Sequence, residues 1–245
     1  MKRILIIGAS SAIAQATAKL FCSQDSEFYL VGRNRQKLDI VKDDLLARGA
    51  SKVDIDISDP VRLEENEFLI SRAELTLGEI DLALIAYGDL TDQKECEASA
   101  RKTVKALTTN SVSVISLVTV IMQVLEKQNR GTIVVLSSVA GDRGRASNYI
   151  YGAAKSCVST FMQGLSHRLY GTNINAILIK PGFVDTPMTE QFEKGPLWTD
   201  PETIAEGIKK AVEKGKTEVY LPWFWWGIMA TIKNIPNIIF KRLPL

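Results

Sequence analysis

The stretch Ile4-Leu5-Ile6-Ile7-Gly8-Ala9-Ser10-Ser11-Ala12-Ile13-Ala14 begins as a continuous apolar run and turns, at a glycine, into an alanine-rich segment. A run of this kind suits a strand covered on both faces, and the turn after it delivers the chain to a helix N-terminus. Backbone N–H groups freed there, with the Ser10 and Ser11 hydroxyls, can hold a pyrophosphate. As a glycine-rich pattern the stretch is incomplete, because Ala12 and Ala14 stand where glycines would complete it.

Repetition gives the stretch its weight. After the first run at 3–7, apolar, β-branched-rich runs recur at 28–31, 52–57, 80–86, 132–136, 174–179 and 218–221. The segments 12–22, 35–48, 60–77, 100–127, 149–170 and 201–214 carry apolar residues at helical spacing, with stops such as Gly49, Gly78, Gly131 and Gly171. This alternation predicts an α/β fold: one doubly wound parallel sheet with helices on both faces, over residues 1–222. Ligands of such sheets bind beyond the carboxyl ends of the strands, so the residues following each strand are where chemistry is sought.

Composition sets the class. With 245 residues, 46% of them hydrophobic and 24% charged, the chain can bury a substantial core. Thirty basic and 28 acidic side chains leave a net charge of +2 with no clustered patch, so no nucleic-acid partner is expected. Cys22, Cys96 and Cys157 are widely spaced and odd in number, which suits reduced thiols in the cytoplasm. Met1-Lys2-Arg3 precedes only four apolar residues before Gly8, too few for a signal-peptide core. The one histidine, His167, supplies neither a serine–histidine triad nor a metal site, and no metal is expected.

Three further segments carry candidate chemistry. Gly32-Arg33-Asn34 follows the second run and places a guanidinium where a carboxylate would bind a ribose diol. Arg33 can instead pair bidentately with a 2′-phosphate, so NADP(H) is the expected cofactor. Asp56, in Asp54-Ile55-Asp56-Ile57-Ser58-Asp59, can accept a hydrogen bond from an adenine amino group, while Asp59 suits a cap. Tyr151 and Lys155 stand four apart in an expected helix and share one face. A cation about 4 to 5 Å from a phenol, at an effective dielectric of roughly 20, stabilises the phenolate by about 4 kcal/mol. That predicts a pKa lowered by up to about 3 from its ordinary 10.

Ser138, in Leu136-Ser137-Ser138-Val139-Ala140-Gly141, stands thirteen residues before Tyr151. With the Gly8 turn, Asp56, Asn110 in Thr109-Asn110-Ser111-Val112, Tyr151 with Lys155, and Pro181-Gly182-Phe183-Val184-Asp185-Thr186, the chain resembles the short-chain dehydrogenase/reductase family over about residues 3–221. The resemblance implies a Rossmann-like fold and hydride transfer between a nicotinamide and a carbonyl or alcohol. It implies that Tyr151 is general acid or base and that Ser138 binds the substrate oxygen. By the same resemblance, Lys155 holds the nicotinamide ribose and Asn110 supports a proton relay. Gly8, Ser10, Ser11, Ile13, Arg33, Asn34, Asp56, Ile57, Ala86, Tyr87, Gly88, Pro181, Gly182, Val184 and Thr186 complete the expected cofactor surface. The chain departs from the family at Ala12 and Ala14, whose methyls would approach the pyrophosphate, and at Ile85-Ala86-Tyr87-Gly88, where the family usually has Asn-Asn-Ala-Gly, so that Tyr87 brings in a bulky ring.

The substrate side is read from a loop and a tail. Arg143 and Arg145, in Gly141-Asp142-Arg143-Gly144-Arg145-Ala146-Ser147-Asn148, are expected to meet an anionic substrate group. From 223 to 245 the chain is apolar and aromatic, with Trp223, Trp225 and Trp226 first and isoleucines at helical spacing after them. Lys233, Asn234 and Pro236 interrupt it, so it does not cross a bilayer. Either it lies in the headgroup layer at the inner face of a membrane, or it packs against another subunit of a homo-oligomer. The loop and tail are similar to those of the branch that includes decaprenylphosphoryl-2-keto-erythro-pentose reductase, which implies a lipid-linked or phosphorylated keto sugar. The alternatives are a soluble reductase of keto-acyl thioesters, steroids or small ketones, and a dinucleotide-binding sensor without catalysis.

Overall fold

A computed structural model describes residues 2–243; Met1 of the expected domain and Pro244 and Leu245 of the expected tail lie outside the described residues. The first half runs β1 (Lys2–Ile7), α1 (Ala12–Phe21), β2 (Ser26–Gly32), α2 (Arg35–Ala47), β3 (Lys52–Ile57), α3 (Asn66–Leu77), β4 (Leu82–Ile85), α4 (Gln93–Glu97), α5 (Ala100–Leu107) and α6 (Ser113–Gln128). The second runs β5 (Gly131–Leu136), α7 (Tyr149–Arg168), β6 (Ile174–Pro181), β7 (Phe183–Val184), β8 (Trp198–Thr199), α8 (Pro201–Glu213), β9 (Glu218–Leu221), α9 (Trp225–Asn234) and α10 (Asn237–Phe240). Seven parallel strands form one sheet in the order β3-β2-β1-β4-β5-β6-β9.

The strands read as unbroken apolar runs because each face is covered. Leu5, Ile7, Ile85 and Val135 pack with Leu69 of α3, Ile121 of α6 and Met162 of α7. Their alternates Ile4, Ile6, Leu84 and Val134 pack with Ala14 of α1, Leu38 of α2 and Ile208 of α8. The period of two along a strand thus feeds two separate cores.

Differences from the sequence reading are local. The helix expected from residue 60 starts at Asn66, because Asp59 takes Val61 N–H at 3.2 Å and holds a turn there. The helix expected over 100–127 is interrupted by a π-helical turn at Thr108–Val112. By length and composition Ala100–Gln128 could cross a membrane, but Leu117, Val118, Ile121 and Leu125 are core residues. The tail divides at Pro236, which lacks an N–H and holds Ile235 extended. Its first half is rooted in a third cluster, where Trp225 and Met229 are 2% and 0% exposed against Val139 and Tyr220.

Candidate active site

From β1 the chain winds outward through β2 and β3, then crosses back to place β4 on the other side of β1. The carboxyl ends of β1 and β4 therefore part, and a crevice opens between the turn at Gly8 and the segment 86–88. Gly8 has φ +83°, and a Cβ there would lie 2.7 Å from the Tyr87 nitrogen, so only glycine fits. Gly8 and Ala9 both donate to Val31 O, at 2.9 and 3.0 Å, which tightens the turn.

Two adjoining cavities of about 320 and 280 Å³ fill the crevice and share Ser10, Ser11, Ala86, Tyr87, Gly88 and Met188. The smaller reaches Gly8, Gly32, Arg33 and Asp59. The larger reaches Ser138, Tyr151 and Lys155 on one side and Pro181, Gly182, Val184 and Thr186 on the other. Ser11 precedes α1 without a side-chain cap, so among the described residues no side chain satisfies the helix's first N–H groups, and Ala12 and Ile13 line the larger cavity. Such an end fits a pyrophosphate. Of the two departures there, Ala14 turns its methyl into the core, while Ala12 faces the cavity.

Three expected cofactor contacts fall elsewhere. Asn34 caps α2 by accepting Lys37 N–H at 3.0 Å. The Asp56 carboxylate is taken by Tyr29 OH at 2.7 Å, Arg72 Nε at 2.8 Å and Ser58 Oγ at 2.6 Å, and Ile57 lies beside it, 45% exposed. None of the three lines either cavity. A strand-end position in the sequence does not reveal that a carboxylate has found partners on β2 and α3.

Ser138 lies two residues past β5 and caps a short 3₁₀ turn, accepting Ala140 N–H at 3.1 Å. That turn lies tight against α7, since a Cβ on Gly141 would sit 2.7 Å from the Lys155 carbonyl carbon. Lys155 is 3% exposed and donates to Leu136 O at 3.0 Å, with its amine 5.7 Å from the Tyr151 ring centre. Asn110 sits in the π turn, fully buried, where it bonds both Asp89 N–H and Asp89 O, at 2.9 and 3.0 Å. It braces the segment after β4. A Cβ on Gly88 would lie 3.0 Å from Asn110 Oδ1 and 3.6 Å from Lys155 Nζ, so that glycine lets the two converge.

The expected acidification of Tyr151 is corrected by this geometry. Burial pushes the phenol up to about 12, with Ser138 pulling the other way, and burial draws Lys155 down to about 8. The enclosed site penalises both charged forms, a cost that the spacing alone does not carry. Tyr87 is likewise pushed up by burial, and its hydroxyl meets Ser113 Oγ at 2.7 Å.

The two loop arginines part company. Arg143 is corrected from substrate binder to clamp: it donates to the carbonyls of Ile232 and Ile235 and to Asn237 Oδ1, and stacks 3.7 Å from the Phe240 ring centre. Arg145 lines the larger cavity. Beside the clamp, Lys180 holds Asp142 at 2.8 Å and Glu218 at 2.7 Å, and Tyr220 OH donates to Asp142 at 2.6 Å. The sequence reading missed this network, and it missed Lys37 and Met188 as lining residues. Asn148 closes the loop 141–148 expected on the substrate side, and it lines the larger cavity.

A crevice at this point of a doubly wound sheet is where dinucleotide oxidoreductases work. The chain belongs to the short-chain dehydrogenase/reductase family, whose model, described as short chain dehydrogenase, matches residues 2–196. It is an oxidoreductase of that family. It is 32% identical over 241 residues to an uncharacterized oxidoreductase of Mycobacterium tuberculosis, covering 98% of this chain and 96% of that one. In fold it is similar to a short chain dehydrogenase/reductase from Burkholderia phymatum in complex with NAD, with TM-score 0.85, 20% identity, and 100% and 96% of the two chains covered. It is similar as well to a variant of actinorhodin polyketide ketoreductase with NADPH, with TM-score 0.82, 18% identity, and 96% and 98% covered.

Proposed function

We propose that the protein is an NADP(H)-dependent carbonyl reductase in which Ser138, Tyr151 and Lys155 act on the substrate oxygen and Asn110 braces the site. One observation carries the reading: Ser138 from the segment after β5 and Tyr151 and Lys155 from α7 line a single cavity opposite Pro181, Gly182 and Val184. The bound dinucleotide supplies the hydride. Ser138 hydroxyl donates to the carbonyl oxygen, and Tyr151, whose raised pKa keeps it protonated at neutral pH, gives its proton to the alkoxide as it forms. Lys155, held by Leu136 O, stabilises the phenolate left behind and would hold the ribose hydroxyls of a bound dinucleotide. An intact donor set of this kind favours turnover over a sensor without catalysis.

Arg33 supports the phosphorylated cofactor. It stands exposed at the rim of the smaller cavity, with no ion pair among the described residues. The solved relatives carry NAD in one case and NADPH in the other, so preference is assigned to this side chain rather than to the fold.

The substrate reading is a lipid-linked or phosphorylated keto sugar, met at the cytoplasmic face of a membrane. Its support is the exposure of Trp223 and Trp226, 82% and 67%, with Ile238 and Ile239 on the same tail as Lys241 and Arg242. Exposed Leu75 and Val104 on α3 and α5 suit the second reading, a soluble reductase of small ketones assembled as a homo-oligomer. Tyr151→Phe is expected to lower kcat/KM by about 10² to 10⁴ with dinucleotide binding largely kept, and undiminished turnover overturns the proton donor. Arg33→Ala is expected to weaken NADPH but not NADH. Trp223→Ser with Trp226→Ser is expected to abolish sedimentation with anionic vesicles, and a wild-type chain that never sediments with them favours the soluble oligomer.

A further inference from the structure

Arg145 and Arg143 are two residues apart and have opposite fates. Arg143 spends its donors on the tail. Arg145 makes no side-chain hydrogen bond or ion pair among the described residues, and its Nε is buried without a partner. Asp142 is the acidic group whose charge it feels, but one oxygen of Asp142 is held by Lys180 at 2.8 Å and the other by Tyr220 at 2.6 Å. Asn148, three residues on, has its Oδ1 buried and equally without a partner. Both side chains line the larger cavity with Ser138 and Tyr151, and no aspartate or glutamate lines it.

A buried donor and a buried acceptor left open in one cavity are costly unless a ligand completes them. A guanidinium calls for an oxyanion, met bidentately. An amide oxygen calls for a hydroxyl. We infer that Arg145 and Asn148 form a substrate-recognition subsite for a hydroxyketone bearing an oxyanion, a carboxylate or a phosphate ester, close to its reacting carbonyl. The inference rests on the carbonyl-reductase reading and narrows its substrate. Position suits the role, since Asn148 directly precedes α7, the helix that carries Tyr151, so recognition and proton transfer share one rigid support.

The test uses three matched hydroxyketones: dihydroxyacetone, which is neutral, dihydroxyacetone phosphate and hydroxypyruvate. Each is titrated by calorimetry into the full chain loaded with NADP⁺, which cannot give hydride to a ketone, and each is assayed with NADPH. At least one anion is expected to bind about tenfold or more tightly than the neutral ketone, and the tighter of the two identifies the oxyanion. R145M is expected to erase that gap without lowering Tm, because the guanidinium has no internal partner to lose, whereas R145K keeps part of it. N148A is expected to weaken all three ketones alike. Equal binding of neutral and anionic ketones, or a gap that survives R145M, or a lowered Tm in R145M with the gap intact, overturns the subsite. Failure of the carbonyl-reductase reading shows separately, as no Tyr151-dependent NADPH oxidation with any ketone.

Discussion

Lys155 is where sequence and surroundings pull in different directions. Its identity and spacing to Tyr151 are plain in the sequence, but its acidity is set by burial, which draws it from an ordinary 10.5 down to about 8. Two consequences follow at this residue. If the ammonium supports the phenolate, reductive kcat/KM falls as pH rises through about 8, and a profile flat to pH 10 contradicts that role. For stability the sign is the reverse. Below about 8 the folded chain carries a charged lysine that it disfavours; between there and 10.5 the unfolded chain holds a proton that the folded chain has lost, so stability rises with pH. Lys155→Met is therefore expected to stabilise the protein without added dinucleotide by about 1 to 3 kcal/mol at pH 7, with the gain gone near pH 10.5, as read by urea unfolding. A destabilised variant at pH 7 contradicts the burial argument.

Among the elements, the tail and the loop after β5 behave as one piece. α9 buries Trp225 and Met229 against Val139 and Tyr220, and Arg143 donates to the carbonyls at its end. Gly182, at the floor of the cavity, exists as glycine because a Cβ there would lie 1.8 Å from Trp225 Nε1. Gly182→Ala is expected to lower stability by about 1 to 3 kcal/mol through overpacking, and adding Trp225→Leu is expected to recover part of it, since the indole N–H has no partner among the described residues. Calorimetric Tm values for the single and double variants check this, and an unchanged Tm in the single variant refutes the contact. The apolar tail and Gly182 were both legible in the sequence. Their contact was not, because they lie more than forty residues apart and meet only once β6 and β9 pair.

Across the whole molecule, half-buried carboxylates join elements that the chain keeps apart. Burial raises Asp56, Asp81 and Glu218, yet hydrogen bonds from Arg72, Arg3 and Lys180 outweigh it, and all three end below the usual carboxylate range. Their stabilisation is full above the unfolded-state pKa values of about 4 and is lost as pH falls through the lower folded values. Tm is expected to stay level between about pH 5 and 7 and to drop below about pH 4, and Asp81→Asn is expected to flatten that drop; an unchanged drop in the variant removes Asp81 from the account. The sequence alone determined the strand and helix order, the Gly8 turn and the Tyr151–Lys155 spacing, because backbone periodicity and short spacings are local properties, and the family resemblance added Ser138. Tertiary structure decided that Asp56 and Asn34 turn away from the crevice, that Arg143 clamps the tail while Arg145 faces the cavity, and that Tyr151 is raised rather than lowered. Each of those outcomes depends on which distant partner satisfies a polar group and on how much water the fold removes from it, and neither is encoded in neighbouring residues.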